Sequence, residues 1–124
     1  MTHQRLALGK QGEAHAAAFL TKAGYRILCR NFKNKLGEID IVAFDKKTVC
    51  FIEVKTRSSL AFGYPCEAVT LRKQKQLNRV ALSYLKQYNL LHTPCRFDIV
   101  SIVVKKDAAP EMSIIKNAFS LTDF

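Results

Sequence analysis

"GEIDIVAF", Gly37 to Phe44, and "FIEVKTR", Phe51 to Arg57, decide how this 124-residue chain is read. Both stretches are rich in β-branched and aromatic residues and read as buried strands, yet each carries acids inside an apolar run. The polar link Asp45-Lys46-Lys47-Thr48 makes them a hairpin, with strands predicted over Leu36–Phe44 and Val49–Arg57. With those residues as the loop, Phe44 pairs with Val49 and Val42 with Phe51. The same register sets Asp40 opposite Glu53 and Glu38 opposite Lys55, all on one face of the sheet. Directly opposed like charges destabilise a sheet, so Asp40 and Glu53 need a cation or a shared proton. An ordinary cross-strand bridge from Lys55 neutralises one carboxylate and leaves the other without a partner. A divalent metal answers the repulsion better. Two carboxylates that leave positions open for water and phosphate suit Mg²⁺.

Working outward, residues 4–23 are alanine-rich with helical spacing, and Gly24 closes the pattern. A strand is predicted over Tyr25–Phe32, followed by a turn at Asn34, Lys35 and Gly37. Beyond the hairpin come a loop from Ser58 to Pro65, a long helix from Ala68 to Tyr88, a strand over Arg96–Val104 and a short one over Met112–Ile115. The expectation is one α/β domain over residues 1–124, a mixed sheet of about five strands flanked by helices.

On the first helix, Glu13 falls within about 60° of Leu6, Gly9, Ala16, Ala17 and Leu20, on the apolar stripe. A buried acid is costly without a partner. Either Glu13 converges on the strand acids as a third carboxylate, or it reaches solvent from the edge of the stripe. Gly9, Gly12 and Ala16 would let this helix approach the sheet closely. The second helix carries Leu77, Val80, Ala81, Tyr84 and Tyr88 on one arc, with Arg72, Lys75, Arg79 and Lys86 opposite. Such a ladder of cations could track a phosphate backbone. Lys73, at the first turn, points toward the apolar arc, from where it could reach a bound phosphate.

The charge balance agrees. Twenty basic against ten acidic groups give a net charge of +10, which suits a polyanionic partner, nucleic acid first. Apolar content of 48% and only three prolines argue against a disordered chain. Cys29, Cys50, Cys66 and Cys95, like His3, His15 and His92, are too scattered for a zinc site or a disulfide framework. No apolar run approaches the roughly 20 residues that span a bilayer, and "MTHQRLALGK" lacks a signal-peptide core. A cytoplasmic protein without membrane partners is expected.

Asp40 followed by Glu53-Val54-Lys55 resembles the D…(D/E)-x-K signature of the restriction-endonuclease-like nucleases. The Glu13 helix, with G-E-I-D before E-V-K, is similar to the arrangement in archaeal Holliday-junction resolvases. More closely, "GKQGEAHAAAFLTKAGYRILCRNFKNKLGEIDIVA", "FIEVKTRSS", "FGYPCEAVTLRKQKQLNRVALSYL" and "RFDIVSI" resemble the bacterial YraN family of predicted endonucleases, from Gly9 to about Phe119. The resemblance implies a restriction-endonuclease-like core and Mg²⁺- or Mn²⁺-dependent hydrolysis of DNA phosphodiesters. Branched or single-stranded DNA, met in processing, repair or recombination, is the expected substrate. It implies that Asp40 and Glu53 bind the metal with the backbone carbonyl of Val54. Lys55 would orient or activate the attacking water, and Glu13 would act through a water or hold a second ion. Glu38 is auxiliary: opposite Lys55, it would set that lysine's position or add a ligand. Arg57, Arg72, Lys73, Lys75 and Arg79 are the expected nucleic-acid contacts, and a homodimer is expected by analogy with resolvase-like proteins. The alternative is a non-catalytic DNA-binding accessory module with a nuclease fold. The Asp40, Glu53, Lys55 set argues against it, because DNA binding alone gains nothing from carboxylates facing phosphate.

Overall fold

The computed structural model describes residues 3–58 and 69–120, with the backbone alone for residues 3–11. Its elements are α1 (His3–Lys22), β1 (Arg26–Asn34), β2 (Gly37–Asp45), β3 (Thr48–Arg57), α2 (Leu71–Gln87), β4 (Cys95–Val103) and β5 (Glu111–Phe119). The five strands form one sheet in sequence order. All neighbours are antiparallel except β3 and β4, which are parallel. A parallel neighbour cannot be reached by a tight turn. The connection from Arg57 to Cys95 therefore crosses over the sheet and carries α2. The α/β class and the mixed sheet of about five strands are as expected.

Each face of the sheet has its own core. On one, α2 buries Leu77, Val80, Ala81, Tyr84 and Leu85, spaced as a single helical stripe, against Ile39, Val42, Phe51, Phe97 and Ile99. Tyr84 meets Phe51 and Phe32 edge to face, with ring centroids 5.8 and 5.0 Å apart. On the other face, Ala16 and Leu20 of α1 pack with Tyr25, Ile41, Ala43, Cys50, Ile52, Val100 and Ile102. Both faces of β2 and β3 are thus covered, which explains their nearly continuous apolar runs.

Among the boundaries that differ from the sequence reading, three have a clear physical cause. Asp45 pairs with Thr48, so the hairpin loop shrinks to Lys46-Lys47, with Lys46 at φ 56°. Helix α2 begins at Leu71 because the Thr70 hydroxyl accepts the Lys73 N–H at 3.2 Å and caps it. The predicted start at Ala68, like the loop residues 59–65, lies outside the described residues. Strand β5 runs on to Phe119: Lys116 and Asn117 break the apolar pattern, but Ala118 and Phe119 return to the core. There Phe119 stacks on Phe97 at 4.6 Å. No helix among the described residues is long and apolar enough to cross a membrane.

Candidate functional site

The β2–β3 register is the predicted one as far as it runs, Phe44 with Val49 and Val42 with Phe51. It stops at Ile41 and Ile52. Asp40 and Glu53 are therefore not ladder partners, nor are Glu38 and Lys55. The cause is a slip in side-chain alternation. Ile39 and Val42, three apart, share the α2-side core, while Ile41 and Ala43 lie in the α1-side core. Regular alternation would send Ile39 to the face of Ile41. Where the backbone ladder ends, the Asp40 carboxylate replaces it: Oδ2 accepts the Val54 N–H at 2.8 Å. Val54 thus enters the site through its N–H.

The four hairpin residues also do not share one face. Glu53 lines a small pocket with Phe51, Leu77 and Phe97 on the α2 side. Glu38 and Asp40 instead meet Glu13, and carboxylate oxygens of these three lie within 4.8 Å of one another. Gly12 makes this convergence possible, because a Cβ there would sit 2.7 Å from Thr56 Oγ1. Without a side chain at that position, α1 settles on β3 and delivers Glu13, half-buried, to the strand acids. Glu38, which sequence left without a firm role, belongs to the cluster. Lys55 turns to its own strand instead, with Nζ 3.7 Å from Glu53 Oε1.

The electrostatics record the crowding. Burial first, and then the Glu53 charge, push the Asp40 carboxyl up to about 7, while the Val54 hydrogen bond pulls the other way. Glu13 and Glu38 add smaller upward pushes. Burial raises Glu53 as well, opposed by the Lys55 and Lys73 ammonium groups. Lys73, in the first turn of α2, is thus near enough for its charge to act on Glu53.

Arg72, Lys75 and Arg79 line a groove of about 460 Å³ together with Gln76 and Leu36, the last from the β1–β2 turn. Arg57 lies apart from this groove lining, half-buried at the end of the β3–β4 ladder opposite Val103.

A second charged group went unread in the sequence. Arg96 Nε donates to Asp98 Oδ1 at 2.9 Å, and its Nη2 donates to Asp45 Oδ2 at 2.6 Å and to the Tyr25 hydroxyl at 3.1 Å. Tyr25 in turn donates to Asp98 Oδ2, and the Asn117 N–H to Oδ1, both at 2.9 Å. The signal was present, since Asp98 stands between Phe97 and Ile99 in an apolar strand, as Asp40 does between Ile39 and Ile41. Its carboxylate is fully buried yet fully partnered, which marks this network as structural.

The family model described as "Uncharacterised protein family UPF0102" matches residues 12–102, a span that holds Glu13, Glu38, Asp40, Glu53 and Lys55. A UPF0102 protein of Chlorobium phaeobacteroides is 53% identical over 96 residues, 77% of this chain and 76% of the relative. One from Caldicellulosiruptor saccharolyticus is 48% identical over 113 residues, covering 90% and 96%. One from Geobacter sulfurreducens is 44% identical over 120 residues, covering 97% and 94%. With the site inside the matched span and near-half identity running through most of each relative, this chain belongs to the UPF0102 family.

Proposed function

We propose that this protein is a divalent-metal-dependent nuclease that hydrolyses phosphodiester bonds in DNA. The observation that carries the reading is the convergence of Glu13, Glu38 and Asp40 within 4.8 Å. Carboxylates from a helix and a strand, with Asp40 raised to about 7 by burial first and then by the Glu53 charge, form a hard oxygen donor set with negative charge in need of a cation. That set fits Mg²⁺ or Mn²⁺. Such an ion, when bound, polarises the phosphoryl oxygen and acidifies water. Asp40, fixed by the Val54 N–H, would hold it with Glu13 and Glu38.

The chain's own groups do the rest. Glu53 orients the Lys55 ammonium, which donates to the attacking water or to a phosphate oxygen and offsets charge developing on phosphorus. Lys73 supplies a further cation beside Glu53, and the basic face of α2 holds flanking phosphates.

The test is cleavage of supercoiled and junction DNA in Mg²⁺ or Mn²⁺. Asp40→Asn and Lys55→Ala should each lower the rate by about 100-fold or more with the circular dichroism spectrum kept. Equal residual cutting by wild type and both variants would identify a contaminating nuclease and defeat the proposal. A wild type that binds DNA and never cuts it would be an accessory binding module instead.

A further inference from the structure

We infer that the groove between the β1–β2 turn and α2 holds a single-stranded segment of the nucleic acid, with phosphates on Arg72, Lys75 and Arg79 and a base against Leu36. The ligand class rests on the nuclease reading of the acidic cluster; the strandedness comes from the groove itself.

Leu36 is the starting point. Its side chain is 46% exposed, and the turn that carries it is fastened in place. Asn34 Oδ1 accepts the Leu36 N–H at 2.9 Å, and Gln76 Nε2 donates to the Leu36 carbonyl at 3.3 Å. Asn34 Nδ2 donates to Ser83 Oγ at 2.9 Å, tying the turn to α2 a second time. Gly37 follows at φ +147°, and a Cβ there would lie 2.9 Å from Gln76 Nε2 and 3.1 Å from Val80 Cγ2. The turn is therefore pressed against the helix and displays an apolar side chain to water beside three cations.

That combination selects the ligand. A row of cations alone would suit any polyanion. An apolar surface fixed among them suits a molecule with negative charge on one side and a flat apolar face on the other, as a nucleotide has. Along α2, Lys75 and Arg79 lie about 4.5 and 6 Å beyond each preceding cation, so the charges follow the groove as a row. Among the described residues, no carboxylate lines the groove. Its volume of about 460 Å³ is that of a small-ligand pocket. One or two nucleotides with exposed bases fit there. A duplex, whose bases are stacked inside, offers Leu36 nothing.

Fluorescence anisotropy of the full chain in EDTA reads binding without cleavage. The probes are a single strand, a blunt duplex and a duplex with a single-stranded tail. The single strand and the tailed duplex should bind at least about fivefold more tightly than the blunt duplex. Arg72→Gln and Arg79→Gln should each flatten the salt dependence of single-strand binding by about 0.7 in log–log slope. Leu36→Ser, at an exposed site, should weaken single-strand binding about three- to tenfold and leave that slope unchanged. Equal affinity for blunt duplex and single strand, wild-type binding by Leu36→Ser, or no binding to any probe would overturn the inference. A protein that binds in this way but never cuts would defeat only the proposed reaction. One that cuts DNA yet is indifferent to Leu36→Ser would defeat only the groove.

Discussion

Asp40 answers to burial and the Glu53 charge on one side and to the Val54 N–H on the other, and the first two prevail. A carboxyl raised to about 7 keeps its proton in the folded state over a pH range where the unfolded chain, at the ordinary value of 3.8, has released it. Metal-free stability should therefore be highest below that window and decline as pH rises through it, with the full penalty in place above pH about 7. A bound cation removes the penalty. Urea unfolding should show Mg²⁺ stabilising the protein at pH about 8 and having little effect at pH about 5. Equal stabilisation at both would take the cluster out of metal binding. Asp40→Asn keeps an oxygen for the Val54 N–H and discards the charge. It should raise metal-free stability at pH about 8 by roughly 1–3 kcal/mol and abolish the Mg²⁺ response. Lys55 is the strongest influence holding Glu53 down. In Lys55→Ala, whatever rate survives should have its acidic limb displaced to higher pH; an unmoved profile would separate Lys55 from Glu53.

Among the elements, the contact of α1 with β3 positions Glu13, and Gly12 is its weak point. Gly12→Ala gains up to about 1 kcal/mol of helix propensity but drives a methyl into Thr56 Oγ1. Alone it should lift α1, spread the three acids and weaken Mn²⁺ binding by titration. Combined with Thr56→Ala, which empties that space, it should bind Mn²⁺ like wild type. Additive losses in the double variant would refute the steric account. The elements themselves were legible, since periods of 2 and 3.6 residues carry them. The hairpin register was legible as far as Ile41 and Ile52. The slip between Ile39 and Val42 was not, for a physical reason. With both faces of β2 covered, apolar residues at 39, 41, 42 and 43 satisfy either phase, so the sequence does not mark where alternation breaks. That one residue moved Glu38 from Lys55 to Glu13. Gly12 and the burial of Glu13 were readable on the helix because one face alone is covered.

On the scale of the whole molecule, the sheet separates two kinds of charge. Glu38 and Asp45 stand seven residues apart on β2, about 23 Å along the strand. The acids at one end are crowded and short of partners, whereas those at the other are saturated by Arg96, Tyr25 and the Asn117 N–H. Arg96→Ala should therefore cost about 3–5 kcal/mol in stability, because Asp98 would keep its burial and lose its cation. Cleavage per folded molecule should be unchanged, and a lost rate at full folding would show that the two ends communicate. The divergence of β2 from β3 has a use of its own. Where the backbone ladder stops, the Val54 amide is bonded to a side chain whose protonation and metal occupancy both change the acceptor. Its nitrogen and proton resonances in ¹⁵N-labelled protein should consequently titrate with pH and shift on Mg²⁺ addition, so a backbone group reports the loading state of the centre.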